Sequence, residues 1–250
     1  MPDSEDVRQP WTRRFVDVPA GAPQLVCFPH AGGAAPFFRP LALALAPHVE
    51  LVAVQYPGRH DRYQESPLDS VPALAEGAFA ALAHELRKAP FSFFGHSLGA
   101  AVAFEVALRY GRSALEGPYR LIASARKAPS TPSNGGVHLR DDAGLLSELS
   151  RLGGTSAALL ADPEVRALVL PPLRADYRAA ELYLAGSPQA RLSCPVTVFA
   201  GEDDPVVPPA ELGHWAAHTT AETETRVFPG GHFYLMDDVD AVAETLLKLL

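Results

Sequence analysis

Phe91-Ser92-Phe93-Phe94-Gly95-His96-Ser97-Leu98-Gly99-Ala100-Ala101-Val102-Ala103-Phe104-Glu105-Val106-Ala107-Leu108 is the stretch that decides the fold. The apolar run Phe91 to Phe94 reads as a buried strand, and Ala100 to Leu108 reads as a helix. Between them stands a Gly-x-Ser-x-Gly pentapeptide, and strand, pentapeptide, helix is the context in which this motif carries a nucleophilic serine. The turn is so sharp that the serine takes a strained backbone, and Gly95 and Gly99 lack the Cβ atoms that would clash there. Ser97 Oγ is then expected above the end of a sheet, beside helix N-terminal N–H groups able to stabilise negative charge.

Working outward, the same strand-then-helix rhythm recurs. Leu25-Val26-Cys27-Phe28 and Leu51-Val52-Ala53-Val54-Gln55 read as strands, with a helix from Phe38 to Leu45 between them. A second helix is expected from Val71 to Leu86, since Ala75, Phe79, Leu82 and Leu86 share one face. Strands are expected at Tyr119–Ser124, Pro195–Ala200 and Thr225–Phe228, and a last helix from about Val239 to Leu250. Alternating strands and helices imply an α/β architecture whose largely parallel sheet is covered on both faces. The rhythm breaks from about Pro129 to Pro188. There Leu145, Leu146, Leu149 and Leu152, and then Leu173, Tyr177, Ala180 and Leu184, have helical spacing. The segment is too long for one crossover, so a helical lid over the site is expected in place of an ordinary pair of crossover helices. Residues 1–10 are expected to be a flexible tail, and residues 11–250 one domain carrying the lid.

The composition narrows the function classes. A net charge of −8 offers nothing to draw the chain to nucleic acid or to an anionic membrane. No apolar run is long enough to span a bilayer, and the polar, acidic N-terminus lacks a signal-peptide pattern, so the cytoplasm is the default location and a monomer the default state. Cys27 and Cys194 lie in apolar runs and read as small buried hydrophobes rather than as a disulfide or a metal pair.

A serine nucleophile needs a base, and the base an orienter. On a strand–turn–helix elbow the chain order is serine, acid, histidine. His232, in Pro229-Gly230-Gly231-His232-Phe233 after the last strand, is the expected base. The acid belongs in Gly201-Glu202-Asp203-Asp204-Pro205, where three adjacent carboxylates compete. Asp204 is preferred over Asp203 because Pro205 biases it towards an extended backbone. The oxyanion hole should combine the N–H of Leu98 with one from Pro29-His30-Ala31-Gly32-Gly33, assigned to Ala31. His30 is expected to shape that loop rather than to react.

Together these blocks resemble the type II thioesterases that accompany polyketide synthases and non-ribosomal peptide synthetases, members of the α/β-hydrolase superfamily. Cys27-Phe28-Pro29-His30-Ala31-Gly32-Gly33, with Phe38-Arg39-Pro40 downstream, is similar to their early signature. Val54-Gln55-Tyr56-Pro57-Gly58-Arg59 is similar to the next segment, and Phe94 to Ala100 to the nucleophile block. Leu173-Arg174-Ala175-Asp176-Tyr177 and Glu181-Leu182-Tyr183 resemble the lid helix. Gly201, Asp204, Pro205, Gly231 and His232 match the acid and base blocks. The match runs from about residue 11 to the C-terminus, and departs at Leu41, where the family often has tryptophan.

The resemblance implies an α/β-hydrolase fold, with Ser97, Asp204 and His232 as catalytic residues. It implies hydrolysis of acyl thioesters carried on the phosphopantetheine arm of acyl or peptidyl carrier protein domains, in an editing role, with no metal and no organic cofactor. Carrier proteins are usually acidic, so contact with an acidic enzyme calls for a local basic patch. Arg59 and Arg62, Arg126 and Lys127, and Arg174 and Arg178 are the candidates. A small-molecule carboxylesterase would use the same triad, as would a chain-terminating thioesterase, although a free-standing chain with its own methionine favours the editing enzyme. A non-catalytic carrier-binding module is opposed by the presence of Ser97, Asp204 and His232.

Overall fold

The computed structural model describes residues 11–86, 89–132, 135–153, 162–184 and 189–250. The expected tail, residues 1–10, lies outside the described residues, as do residues 133–134, 154–161 and 185–188 of the expected lid.

Five short apolar runs form the middle of the sheet: β2 (Gln24–Phe28), β3 (Glu50–Val54), β4 (Phe91–His96), β5 (Leu121–Ser124) and β6 (Val196–Gly201). They are nearly continuous in hydrophobicity because both faces of each are covered. Along β2, Leu25 and Cys27 enter one core while Val26 and Phe28 enter the other, the period of two that a strand imposes. Two edge strands complete the sheet: β1 (Thr12–Arg13) and β7 (Thr223–Phe228). The order is β1-β3-β2-β4-β5-β6-β7, all parallel except β1, which runs antiparallel to β3.

Helices cover the two faces. Helix α1 (Arg39–Leu45), entered through a 3₁₀ turn at Ala35–Phe38, packs with α7 (Val239–Leu247) against Leu25, Phe94 and Phe199. Leu41 is buried in this core and fills the place that the resemblance gives to tryptophan. Helices α2 (Val71–Glu85) and α3 (Leu98–Gly111) pack on the other face with Phe28, Phe93 and Trp215. Helix α3 is buried almost all round, from Leu98 to Ala107, which is why its sequence is apolar on every face. The insertion between β5 and β6 holds α4 (Asp142–Arg151) and α5 (Pro163–Leu182), with a small core of their own from Val137, Leu145, Leu149 and Leu173. A short helix, α6 (Tyr234–Asp237), precedes α7.

Several boundaries differ from the sequence reading. Strand β7 begins at Thr223 rather than Thr225, because the polar pair Thr223 and Glu224 is held extended by Val196 and Thr197 of β6. Strand β5 begins at Leu121; Tyr119 lies in the exposed connection before it. Strand β6 runs from Val196 to Gly201, and the first helix starts only at Arg39. Helix α7 ends at Leu247. Cys194 lies in the turn before β6, half-buried, while Cys27 is buried in β2; both are free thiols. Helix α5 begins ten residues before Leu173. Asp162 caps it, accepting the Glu164 N–H at 2.8 Å, and Pro163 occupies its first turn. Pro171 and Pro172 sit inside it.

The approach of α3 to the loop after β2 leaves no room for a side chain at Gly99: a Cβ there would stand 2.0 Å from the Phe28 carbonyl oxygen. Gly99→Ala is therefore expected to cost about 3 kcal/mol by overpacking, which thermal unfolding would register as a Tm lowered by roughly 6–12 °C. A variant as stable as the parent would show that α3 can move off this loop.

Candidate active site

The elbow takes the geometry that its glycines allow. Strand β4 ends at His96, α3 starts at Leu98, and Ser97 between them has φ 53° and ψ −115°. A positive φ at a residue with a Cβ is strained, at about 1–3 kcal/mol, and persists only where the surroundings over-determine it. Here Ser97 N–H donates to the Ser124 carbonyl at 2.8 Å, and the Ala100 N–H donates back to the Ser97 carbonyl at 3.0 Å. A Cβ at Gly95 would meet the Ala100 Cα at 2.4 Å. The buried flanks of β4 and α3 hold the turn closed.

The candidate acid and base come from the far side of the sheet. Gly201 pairs with Phe228, so the loops leaving β6 and β7 emerge side by side. The Asp203 N–H donates to the Gly230 carbonyl at 2.9 Å, and a Cβ at Gly201 would meet the Gly231 carbonyl oxygen at 2.1 Å. Of the three competing carboxylates, Glu202 and Asp203 are exposed, while Asp204 is turned inward. His232 Nδ1–H donates to Asp204 Oδ2 at 2.9 Å, and both side chains are buried. Asp204 Oδ1 accepts the Val206 and Val207 N–H groups at 2.8 and 3.3 Å, which fixes the carboxylate's orientation. An ionised carboxylate only accepts, so Nδ1 carries the proton, and in the neutral imidazole Nε2 presents a lone pair. Ser97 and His232 line one cavity of about 470 Å³, without a hydrogen bond between their side chains.

Register also brings the two candidate oxyanion donors together. Phe28 pairs with Gly95, so Ala31 and Leu98 each stand three residues beyond paired positions. Ala31 lines the cavity, and Leu98 is the first residue of α3. Neither N–H donates to an acceptor among the described residues, as expected for one in the first turn of a helix.

A model of the thioesterase domain matches residues 23–250 of the chain. The chain belongs to the thioesterase family. It is 44% identical over 247 residues to the probable cadicidin biosynthesis thioesterase of Streptomyces griseus, spanning 99% of this chain and 68% of that one. Its fold matches the solved structure of the type II thioesterase BorB from the borrelidin biosynthetic cluster with a TM-score of 0.87 and 42% identity, over 95% and 96% of the two chains. It matches YbtT, a type II thioesterase from the yersiniabactin NRPS/PKS pathway, with a TM-score of 0.84 and 29% identity over 95% and 97%. The resemblance read from the blocks around His30, Ser97 and Asp176 is thus borne out, and so is the α/β-hydrolase fold.

In this thioesterase the insertion helices lie over the cavity. Leu149 and Leu152 of the α4 region and Tyr177 and Ala180 of α5 line it. Beneath the elbow runs a buried polar chain that sequence reasoning missed: His96 Nδ1 is hydrogen-bonded to Ser124 Oγ at 2.9 Å, and Ser124 Oγ to Tyr234 Oη at 2.6 Å. His96 and Ser124 are register partners on β4 and β5, so the signal lay in strand pairing. His30 packs edge-on against Phe37 and Phe233, with ring centres 4.4 and 4.8 Å away. It shapes the loop, as expected: a Cβ at Gly33 would run into its ring. Among the described residues no helix is long and apolar enough to cross a membrane.

Of the candidates for a basic patch at the rim, Arg59 and Arg62 are corrected. Arg59 is buried and forks onto Asp176 of α5. Arg62 is also buried, paired with Glu65, donating to the Gln55 carbonyl at 2.9 Å and stacked over Trp11. Arg59 was drawn inward by a carboxylate distant in sequence, and Arg62 by the nearby Gln55 carbonyl and the Trp11 ring, contacts that composition does not reveal. Arg126 and Lys127 do line the cavity, the first donating to the Ala180 carbonyl and the second paired with Glu211. Arg174 and Arg178 stand on the outer side of α5, paired with Asp142 and Asp69.

Burial, then the nearby His232 and Arg59, lowers the His30 imidazole from 6.5 to about 3. Burial, then His232 and His30, lowers His96 as well. Unfolding releases both imidazoles, and the unfolded chain then binds more protons below its ordinary value of 6.5. The stability that depends on neutral His30 is whole above that value and is lost as the pH falls towards about 3. Urea unfolding between about pH 5.5 and pH 4 should show up to about 1.4 kcal/mol less stability per pH unit for each such histidine. His30→Gln should flatten the slope; an unchanged slope would mean that His30 is protonated in the folded protein.

Proposed function

We propose that this protein is a serine thioesterase that hydrolyses acyl groups held as thioesters on the phosphopantetheine arms of carrier proteins in polyketide or non-ribosomal peptide synthesis. It clears stalled or wrongly loaded units and acts in the cytoplasm. The observation that carries the reading is the convergence on one lid-covered cavity of Ser97 on a strained elbow and His232 already oriented by Asp204. Membership of the thioesterase family supplies the bond that is cleaved.

The chemistry follows from these positions. As Ser97 Oγ attacks the thioester carbonyl, its proton passes to His232 Nε2, and Asp204 stabilises the imidazolium through Nδ1–H. The carbonyl oxygen becomes an oxyanion held by the Ala31 and Leu98 N–H groups. Collapse breaks the C–S bond; the departing thiolate takes the proton from His232, leaving an acyl-serine ester. Water, deprotonated by the same imidazole, adds to that ester, and collapse returns the proton to Ser97 and releases the acid. No metal or organic cofactor enters any step. A cavity of about 470 Å³ under α4 and α5 has room for an acyl chain, and acyl chains longer than the cavity would have to lift a helix.

The test compares acyl groups on a holo carrier protein, on a short pantetheine mimic and on simple oxygen esters. Faster turnover on the carrier supports the proposal, whereas good turnover of free esters with carrier substrates ignored would make the protein an esterase. Ser97→Ala should remove turnover altogether, and Asp204→Asn should lower kcat roughly 10⁴-fold by letting the imidazole take the wrong tautomer. Arg178 is 52% exposed, and its ion pair with Asp69 is of the weak surface kind. Arg178→Glu should raise KM severalfold for carrier-bound substrates and leave the pantetheine mimic unaffected; equal effects on both would remove Arg178 from the docking surface.

A further inference from the structure

Asp176 is fully buried in the middle of α5, and both of its oxygens are occupied. Oδ2 accepts Arg59 Nη1–H at 2.6 Å and the Gly32 backbone N–H at 2.7 Å, while Oδ1 accepts Arg59 Nη2–H at 3.0 Å. Three separate segments meet at this carboxylate: the lid helix, the loop after β3 and the oxyanion loop after β2. Arg59 is anchored from the sheet side, its carbonyl accepting from Gln55 Nε2 at 3.2 Å and its guanidinium lying over the Tyr56 ring. Gly32 follows Ala31 directly and has φ +75°. Holding the Gly32 N–H fixes the peptide plane on one side of Ala31, and so limits rotation of the plane that carries the Ala31 N–H. One turn earlier on α5, Leu173 fills the space beside Gly32: a Cβ there would stand 2.8 Å from Leu173 Cδ1. The same helix lines the cavity with Tyr177 and Ala180.

We propose that Asp176 is a positioning residue that couples the lid to catalysis: the oxyanion loop is held in its working shape only while α5 is seated on Arg59 and Gly32. Lifting α5 to admit an acyl chain takes the carboxylate off Gly32 and loosens the Ala31 donor, so the lid must reseat before the thioester is attacked. This rests on reading Ser97 as nucleophile and Ala31 as oxyanion donor.

The test uses steady-state kinetics on an acyl-pantetheine thioester, with inhibition by an alkylboronic acid that forms a tetrahedral adduct at the serine. In the Arg59→Met/Asp176→Leu double variant the ion pair gives way to apolar groups of similar volume, a replacement that folded proteins tolerate. It should keep its Tm within a few degrees and lose about 10- to 100-fold in kcat, somewhat less than the removal of an oxyanion donor. KM should stay within about threefold, and boronate affinity should fall in step with kcat. Asp176→Asn keeps an acceptor for Gly32 but loses the ion pair, so a severalfold fall in kcat is expected; it decides the matter should the double variant not fold. Unchanged kcat and boronate affinity in a folded variant, or a change confined to KM, would overturn the coupling alone. Turnover that survives Ser97→Ala would overturn the serine reading and the coupling with it.

Discussion

The site depends first on parallel strand register. Phe28 lies beside Gly95, and Gly201 beside Phe228, so the chain leaves the same end of the sheet at four neighbouring points. Ala31, Ser97 with Leu98, Asp204 and His232 all lie within a few residues of those exits. A slip of one residue in either pairing would turn the strand's side chains to the wrong face and carry the functional group with them. Register is held by burial: both faces of β2, β4 and β6 are packed, so no alternative pairing keeps the cores filled.

Backbone contact does the rest. At Gly99 the start of α3 lies against the end of β2, and at Gly201 the end of β6 lies against the loop after β7, with no room for a methyl group. These contacts set how far the loop after β2 stands from the elbow and how far the loop after β6 stands from the loop after β7. The strain at Ser97 is balanced by the burial of α3, which has almost no exposed face from which to relax.

Polar groups link this rigid frame to the insertion. Asp204 and Asp176 are both buried carboxylates with every oxygen engaged. Asp204 ties together the loops after β6 and β7, whereas Asp176 ties α5 to the loops after β2 and β3. A buried ion pair such as Arg59–Asp176 adds little net stability over an apolar replacement, yet leaving one member unpaired is costly. The neutral histidines His30 and His96 pack beside His232 within the same enclosure, where burial keeps them uncharged.

Local signals made much of this legible in the sequence. Apolar runs bounded by glycine and proline marked the inner strands. The Gly-x-Ser-x-Gly elbow placed Ser97, and chain order then singled out the acidic loop and His232. The choice of Asp204 rested on one neighbour, Pro205, and the structure shows Asp203 exposed and Asp204 inward. What the sequence left open depends on partners far along the chain. Strand β1 is two residues with no periodicity, defined only by its pairing with β3. Polar Thr223 and Glu224 became strand because β6 lay beside them. Arg59 looked like a surface charge until Asp176, 117 residues away, drew it inside. Helical spacing, turn residues and motif order are short-range properties that a single chain displays by itself. Burial of charge, edge pairing and the seating of α5 are set by contacts between distant segments, and only the folded arrangement brings those segments together.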